Sequence, residues 1–263
     1  MRSAPTRADR HGDDPSGDDS DLSSEQHRSL LGRLGLGAAV AAAAAVPFLL
    51  LMLLVLSRWE PLENLDQSVA GDLHRVAEGR DGLVGFLEIV ATVFSPNVFR
   101  LVIFGVVVWL WVKGARRVAV WATVTVAVGS LLAVMLKLLV ARARPELPDP
   151  VASAGGYSFP SGHAVGSMLG VGVLILIFLP VLSRGGRIAA YAVGAAVVIL
   201  VGYDRVALGV HFVSDVLAGW VVALAVLAGT SVGFEVWRRD RGERPSAVSD
   251  GVDPEAAEKM SSS

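Results

Sequence analysis

Cysteine is absent from the 263-residue chain, which removes disulfides, thiol nucleophiles, thiolate metal sites and iron–sulfur clusters as sources of function. Charge is scarce as well. Only 18% of residues are Asp, Glu, Lys or Arg, against roughly 25% in an ordinary globular chain. Hydrophobic residues make up 53% and the mean hydropathy is +0.56, too apolar for a soluble domain of this length. The net charge of -2 decides little, because in a membrane protein the placement of Lys and Arg matters more than their sum. No internal sequence repeat is visible.

The apolar residues are concentrated in long runs that approach or exceed the roughly 20 residues an α-helix needs to cross a bilayer. The expected fold is therefore an all-α polytopic membrane bundle of about six transmembrane helices. The runs are Leu36–Leu56, Val98–Val112, Val118–Leu136, Ala164–Leu182, Ile188–Tyr203 and Phe212–Trp237. The first begins too late and runs too long for a secretory signal core, and Pro47 within it is a candidate kink. Glu88, Ser95-Pro96-Asn97 and Arg100 interrupt the apolar region from Leu83 to Val112, so Val98–Val112 is read as its spanning part.

Three organisational units follow. Residues 1–33 are rich in Asp, Ser, Gly and Arg and cannot bury enough apolar surface to offset ordering entropy; a disordered cytoplasmic tail is expected. Residues 34–237 form the membrane domain, and 238–263 a second disordered cytoplasmic tail. Between Ser57 and Gly82, Leu62, Leu65, Val69, Leu73 and Val76 recur at helical spacing with acids between them. That pattern predicts an amphipathic helix at the membrane surface.

Basic residues orient the bundle. Arg28 and Arg33 precede the first run, Lys113, Arg116 and Arg117 follow the second, Arg184 and Arg187 follow the fourth, and Arg238, Arg239, Arg241 and Arg244 follow the sixth. Back-and-forth threading puts all four groups on one side, which the positive-inside rule makes cytoplasmic. Both termini are then expected inside.

The opposite, outer end breaks that charge bias. Lys137, Arg142 and Arg144 close the third run, and Asp204 and Arg205 the fifth. Of five histidines, His11 and His27 fall in the tail and His74 in the surface segment. His163 and His211 remain, at the outer starts of the fourth and sixth runs. Each feature alone has a plain structural explanation: snorkelling cations, a turn before a helix for Phe159-Pro160-Ser161-Gly162, a His211–Asp215 pair sharing a helix face. Asp215, charged and inside a run, is the rarer feature.

Together the spacing is specific. Six residues separate Lys137 from Arg144-Pro145; Pro160-Ser161-Gly162-His163 follows; then Arg205, five residues, His211, three residues and Asp215. This order, with membrane helices between the motifs, resembles the type 2 phosphatidic acid phosphatase superfamily, the lipid phosphate phosphatases. The motif likeness covers Lys137 to Gly219, and Asp204 departs from the serine more common in the family before the arginine. The resemblance implies that residues 34–237 are a membrane phosphatase domain. It also implies His211 as the nucleophile that forms a phosphohistidine, and His163 as the acid that protonates the leaving oxygen and later activates water.

The residue types suit that chemistry. A phosphate ester repels a nucleophile through its own charge, so catalysis must neutralise the charge and hold the reacting atoms in line. Lys137, Arg144 and Arg205 supply cations, the arginines as planar forks and the lysine as a point charge. Ser161 and Gly162, just before a helix, offer backbone N–H groups to the same oxygens. Asp215 one turn beyond His211 can take a hydrogen bond from one ring nitrogen and leave the other with its lone pair. Arg142 and Glu146 are read as structural neighbours outside the site, Asp149 as solvated, and Asp204 as paired with Arg205 or facing solvent.

The expected activity is hydrolysis of a lipid phosphate or diphosphate at the outer face, with a polyprenyl diphosphate slightly preferred over a phosphatidate-type lipid. No metal or other cofactor is expected; cations stand where a two-metal phosphatase would cluster carboxylates. The expected partners are the membrane lipid phosphate and the bilayer, with no nucleic acid. Soluble vanadium haloperoxidases resemble the family in their anion site, but the apolar runs argue against them. A non-catalytic phospholipid-binding or transport protein keeping the same anion site is the alternative.

Overall fold

The computed structural model describes residues 43, 45–147, 152, 154–241 and 250–261. The expected tail over 1–33, Asp149, and residues 36–42 and 44 of the first run lie outside them. The described residues form helices without strands: α1 (Ala45–Leu56), α2 (Glu60–Ala77), α3 (Asp81–Val93), α4 (Pro96–Val112), α5 (Arg116–Val140), α6 (Gly162–Phe178), α7 (Arg184–Ala207), α8 (Val213–Asp240) and α9 (Ala256–Ser261). Among the described residues five stretches are long and apolar enough to cross a membrane, or six if α1 and α2, bent by 87°, count as one. The chain is a multi-pass all-α membrane bundle, its lipid-facing surface carried by side chains such as Leu101 and Val112, 70% and 80% exposed.

The second span is longer than the sequence suggests. Ser95 caps α4, its Oγ accepting the Val98 N–H at 3.4 Å, and Pro96 takes the first helical position, where its missing N–H would have no partner anyway. Ser95-Pro96-Asn97 thus restarts a helix rather than opening a polar gap, and Asp81–Val112 forms one apolar unit of 32 residues.

The amphipathic segment folds as α2, but it is more than a surface helix. Asp66, Ala70, His74 and Ala77 are buried, and Ala70 packs with Val206, Phe212 and Val216. With Leu87 of α3 set against Ala207, Leu208 and Val210, α2 and α3 cap one end of α7 and α8.

Helix α6 is central and packs against α4, α5, α7 and α8. Its approach to α8 needs a missing side chain: a Cβ on Gly219 would lie 2.9 Å from Ala164 Cβ and 3.0 Å from the Ser161 carbonyl. This close packing sets the starts of α6 and α8 side by side.

The closing segment departs in part from a disordered tail. Arg238–Asp240 complete α8, and Arg238, 1% exposed, lies 3.2 Å from Glu235, 3.7 Å from Asp253 and 3.5 Å from Glu255. The Val252 N–H donates to the Leu176 carbonyl at 3.1 Å. Val252, Ala256 and Met260 join Leu110 and Phe234 in the main core at the end opposite the cap. Within α9, Ala256 and Met260 stand four residues apart and so share the face turned to that core, which Val252 reaches from the segment before the helix.

Candidate active site

The chain reaches the site through two special turns. Helix α5 ends at Ala141, whose left-handed conformation (φ 49°) turns the backbone so that Arg142 and Arg144 follow closely on Lys137. Helix α7 ends before Gly209, with φ 68°, a conformation that glycine adopts without steric cost. That turn delivers His211, whose backbone N–H donates to the Arg205 carbonyl at 3.2 Å.

His211 is 3% exposed. Its Nδ1 lies 3.4 Å from Asp215 Oδ2, and its Nε2 lies 3.2 Å from Arg144 Nη1. A guanidinium only donates hydrogen bonds, so Nε2 must be the acceptor and Nδ1 carries the hydrogen. Burial lowers the His211 pKa to about 4, opposed by the hydrogen bond and charge of Asp215 and reinforced by Arg144 and Lys137. The ring is neutral at physiological pH.

Asp215, fully buried, accepts the Phe212 N–H through Oδ2 at 3.0 Å. A carboxylate in the first turn of α8 also meets the positive end of the helix dipole.

Lys137 and Arg144 gather around one strip of backbone, while Arg205 is held apart from it by Asp204. Lys137 Nζ donates to the Tyr157 carbonyl at 2.7 Å. Arg144 Nη2 reaches the same oxygen at 3.3 Å, and Arg144 also donates to the carbonyls of Gly155, Gly156 and Val210. Burial lowers the Arg144 pKa, as does the charge of Arg205, while Asp215 raises it. A Cβ on Gly162 would lie 3.9 Å from Lys137 Cε, so the start of α6 adjoins the lysine. Arg205 Nε donates to Asp204 Oδ2 at 2.7 Å, and its Nη2 bonds the same oxygen. Asp204 is fully buried; of the two alternatives read from sequence, pairing rather than solvent is found.

His163 sits in the first turn of α6, its Nε2 3.3 Å from the Ala91 carbonyl of α3. A carbonyl only accepts, so Nε2 carries a hydrogen there.

Two expectations need correction. The Ser161 N–H donates to the Asp215 carbonyl at 3.0 Å, and its Oγ accepts from Ala164 N–H at 3.4 Å. Ser161 therefore ties α6 to α8, and of the two expected amides only that of Gly162, at a helical position with no intrahelical acceptor, is left for an anion. Arg142, read from sequence as a bystander, donates through Nη1 to Asp215 Oδ1 at 2.7 Å and through Nη2 to Asp66 Oδ2 at 2.9 Å. Glu146 stays exposed on the edge of a groove shared with Arg58, Glu63 and Gln67.

Between α4, α5 and α6 a cleft of about 140 Å³ lined by Phe99, Ile103, Val134 and Leu169 runs up to Lys137 and Gly162. No group of three or more His, Cys, Asp or Glu side chains is placed to hold a metal ion among the described residues.

Comparison with known proteins gives a consistent assignment. The model of the PAP2 superfamily matches residues 118–239, a segment containing every site residue named from sequence. The chain is 37% identical over 97 residues to phosphatidylglycerophosphatase B of Bacillus subtilis, covering 36% of this chain and 47% of that protein. It is 30% identical over 117 residues to undecaprenyl-diphosphatase of Sulfolobus acidocaldarius, covering 42% and 52%. The matches thus span about half the length of each relative. In fold, the chain resembles the crystal structure of the first transmembrane PAP2-type phosphatidylglycerolphosphate phosphatase from Bacillus subtilis, with a TM-score of 0.66 and 21% identity over 78% of this chain and 98% of that one. Aquifex aeolicus LpxE gives a TM-score of 0.51, also at 21% identity, over 63% and 94%.

Proposed function

Starting from a chain that belongs to the PAP2 superfamily, we propose that it is a metal-independent phosphatase acting on a lipid phosphate or diphosphate through a phosphohistidine intermediate. The observation that carries this reading is the pairing of His211 Nε2 with Arg144 Nη1 at 3.2 Å. A neutral imidazole with its lone pair aimed at a cation is arranged to meet an anionic electrophile. A phosphate arriving there exchanges the carbonyls of Gly155, Gly156 and Tyr157 for its own oxygens as acceptors of Lys137 and Arg144.

In the first step the Nε2 lone pair of His211 forms a bond to phosphorus while the phosphorus–oxygen bond to the leaving group breaks. His163 donates a proton to the departing oxygen. Lys137, Arg144, Arg205 and the Gly162 amide stabilise charge on the transferring oxygens, and Asp215 stabilises the ring as it becomes positive. In the second step water loses a proton to His163 and attacks phosphorus, the phosphorus–nitrogen bond breaks, and the Nε2 lone pair is restored.

The substrate is a lipid because the cleft beside Lys137 lies between membrane helices and is mostly apolar, with Arg100 and Ser130 as its other polar side chains. The three cations favour a diphosphate, and with it a polyprenyl diphosphate over a phosphatidate-type lipid. The site lies at the outer face and both termini are cytoplasmic, a reading supported by the clusters of Lys and Arg at the far end of the bundle.

Phosphate release tests the proposal. The purified full chain in detergent should hydrolyse a polyprenyl diphosphate faster than a phosphatidate, both much faster than a water-soluble phosphomonoester, and should do so in a chelator. No release from any lipid would leave a binding or transport role; a strict divalent-metal requirement would defeat the metal-free mechanism.

A further inference from the structure

The Arg142 guanidinium lies between two buried carboxylates. Its Nη1 donates to Asp215 Oδ1 and Ser214 Oγ, both at 2.7 Å, and its Nη2 to Asp66 Oδ2 at 2.9 Å. Asp66, fully buried on α2, accepts the Ser214 N–H through Oδ1 at 3.0 Å and the Ser214 hydroxyl through Oδ2. The Phe212 ring lies against the guanidinium, with its centroid 4.2 Å from Arg142 Cζ. Charges therefore alternate along a line: Asp66 negative, Arg142 positive, Asp215 negative, then the His211 ring.

Burying such an array costs several kcal/mol for each ion unless it is well hydrogen-bonded, and here both carboxylates are. Asp66 takes three donors from Ser214 and Arg142, and Asp215 takes them from Arg142, Phe212 and His211. Clamping α2 to α8 needs only a neutral pair. This array instead carries one net negative charge to the Asp215 side of the His211 ring. A lone Arg142–Asp215 pair would present the ring with no net charge at the moment when bonding to phosphorus makes it positive.

We propose that Asp66 and Arg142 are positioning residues for phosphoryl transfer. Arg142 holds Asp215 Oδ1 so that Oδ2 faces His211, and Asp66 restores the negative charge that Arg142 would otherwise cancel. The cap helix α2 is thereby part of the catalytic electrostatics as well as a cover. The proposal rests on the phosphatase reading above.

The test uses the full chain in detergent, with parent, Asp66→Asn, Arg142→Gln and the double variant compared on a polyprenyl diphosphate. Asp66→Asn keeps the side-chain shape and should lower kcat by at least about tenfold with KM changed less than about twofold, the pattern of a lost transition-state interaction. Arg142→Gln in the Asp66→Asn background returns the net charge near His211 to that of the parent and should recover part of the lost kcat. Histidine NMR gives a second readout that needs no turnover. The charged and titratable groups facing the ring are Asp215 from α8, Arg144 from the loop after α5, Lys137 from α5 and His163 from α6. Arg142→Gln should move the His211 titration upward from about 4, whereas Asp66→Asn should not raise it. Unchanged kcat in Asp66→Asn, or an unmoved titration in Arg142→Gln, overturns the proposal. An inactive parent with the expected titration shift would instead defeat the phosphatase reading and leave the charge array standing.

Discussion

Arg144 Nη1 stands 3.2 Å from His211 Nε2, so the ring nitrogen facing the cation is the one that bears the lone pair. The opposite nitrogen is committed to Asp215. That polarity, hydrogen toward the carboxylate and lone pair toward the anion site, underlies the predictions below.

The first concerns pH. Burial holds the His211 pKa near 4, below its ordinary 6.5, so between these values the unfolded chain binds the extra proton. The stability that His211 contributes is fully present above pH 6.5, declines as pH falls from 6.5 to 4, and levels off below 4. Histidine NMR of the protein in detergent should show no His211 titration near 6.5. Asp215→Asn removes an influence that raises the pKa and should lower it further; Arg144→Gln removes one that lowers it and should raise it. Shifts of the reverse sign would contradict the assigned roles of Asp215 and Arg144.

Loss of any one cation should weaken transition-state stabilisation. Lys137→Ala, Arg144→Ala and Arg205→Ala are each expected to raise the barrier by about 3 kcal/mol, by analogy with loss of one oxyanion donor, and their effects need not add. Asp204 pairs with Arg205 from a fully buried position and offsets part of its charge, so Asp204→Ser should leave kcat unchanged or raise it and lower KM. Steady-state kinetics on one lipid substrate checks all four; loss of activity in Asp204→Ser would show that Arg205 needs its carboxylate to be held in place.

Gly209 tests the turn that presents His211. An alanine there must keep φ near 68°, and its Cβ would meet Leu147 Cδ1 at 2.6 Å. Gly209→Ala should cost about 1–2 kcal/mol of stability from the backbone alone, read as a lower melting temperature, and should reduce kcat by displacing the nucleophile. Full activity and an unchanged melting temperature would contradict that role.

The motifs were legible because their chemistry requires particular residue types at fixed spacing, and the spans because length and apolarity are imposed by the bilayer. The partners of Arg142 were not, since Asp66 lies 76 residues away and joins it only once α2 folds over α8. A signal existed: Asp66 follows Leu62 by four residues and precedes Val69 by three, placing a carboxylate on the apolar face of an amphipathic helix, where it must find a partner or destabilise the fold. The partner of the Ser161 N–H was hidden for a related reason. Sequence places its N–H at a helix start, but only the close approach permitted at Gly219 brings the Asp215 carbonyl within 3.0 Å to accept it.

Orientation is testable because the chain has no native cysteine. Single cysteines at Ala154, beside the site, and at Gly185, at the opposite end, should label from opposite sides in intact cells. An impermeant reagent should reach only Ala154→Cys. Equal labelling of both, or labelling of Gly185→Cys alone, would overturn the proposed outer face.

The most direct measurement is a rapid-quench trap of the covalent intermediate. The purified chain is mixed with a lipid diphosphate carrying a radiolabelled terminal phosphate, stopped in alkali and mapped by peptide. An acid-labile, base-stable label is expected on the peptide containing His211, absent in His211→Ala, and longer-lived in His163→Ala, where breakdown by water is slowed. Substantial phosphate release by His211→Ala, or a label on another residue, would contradict His211 as the nucleophile.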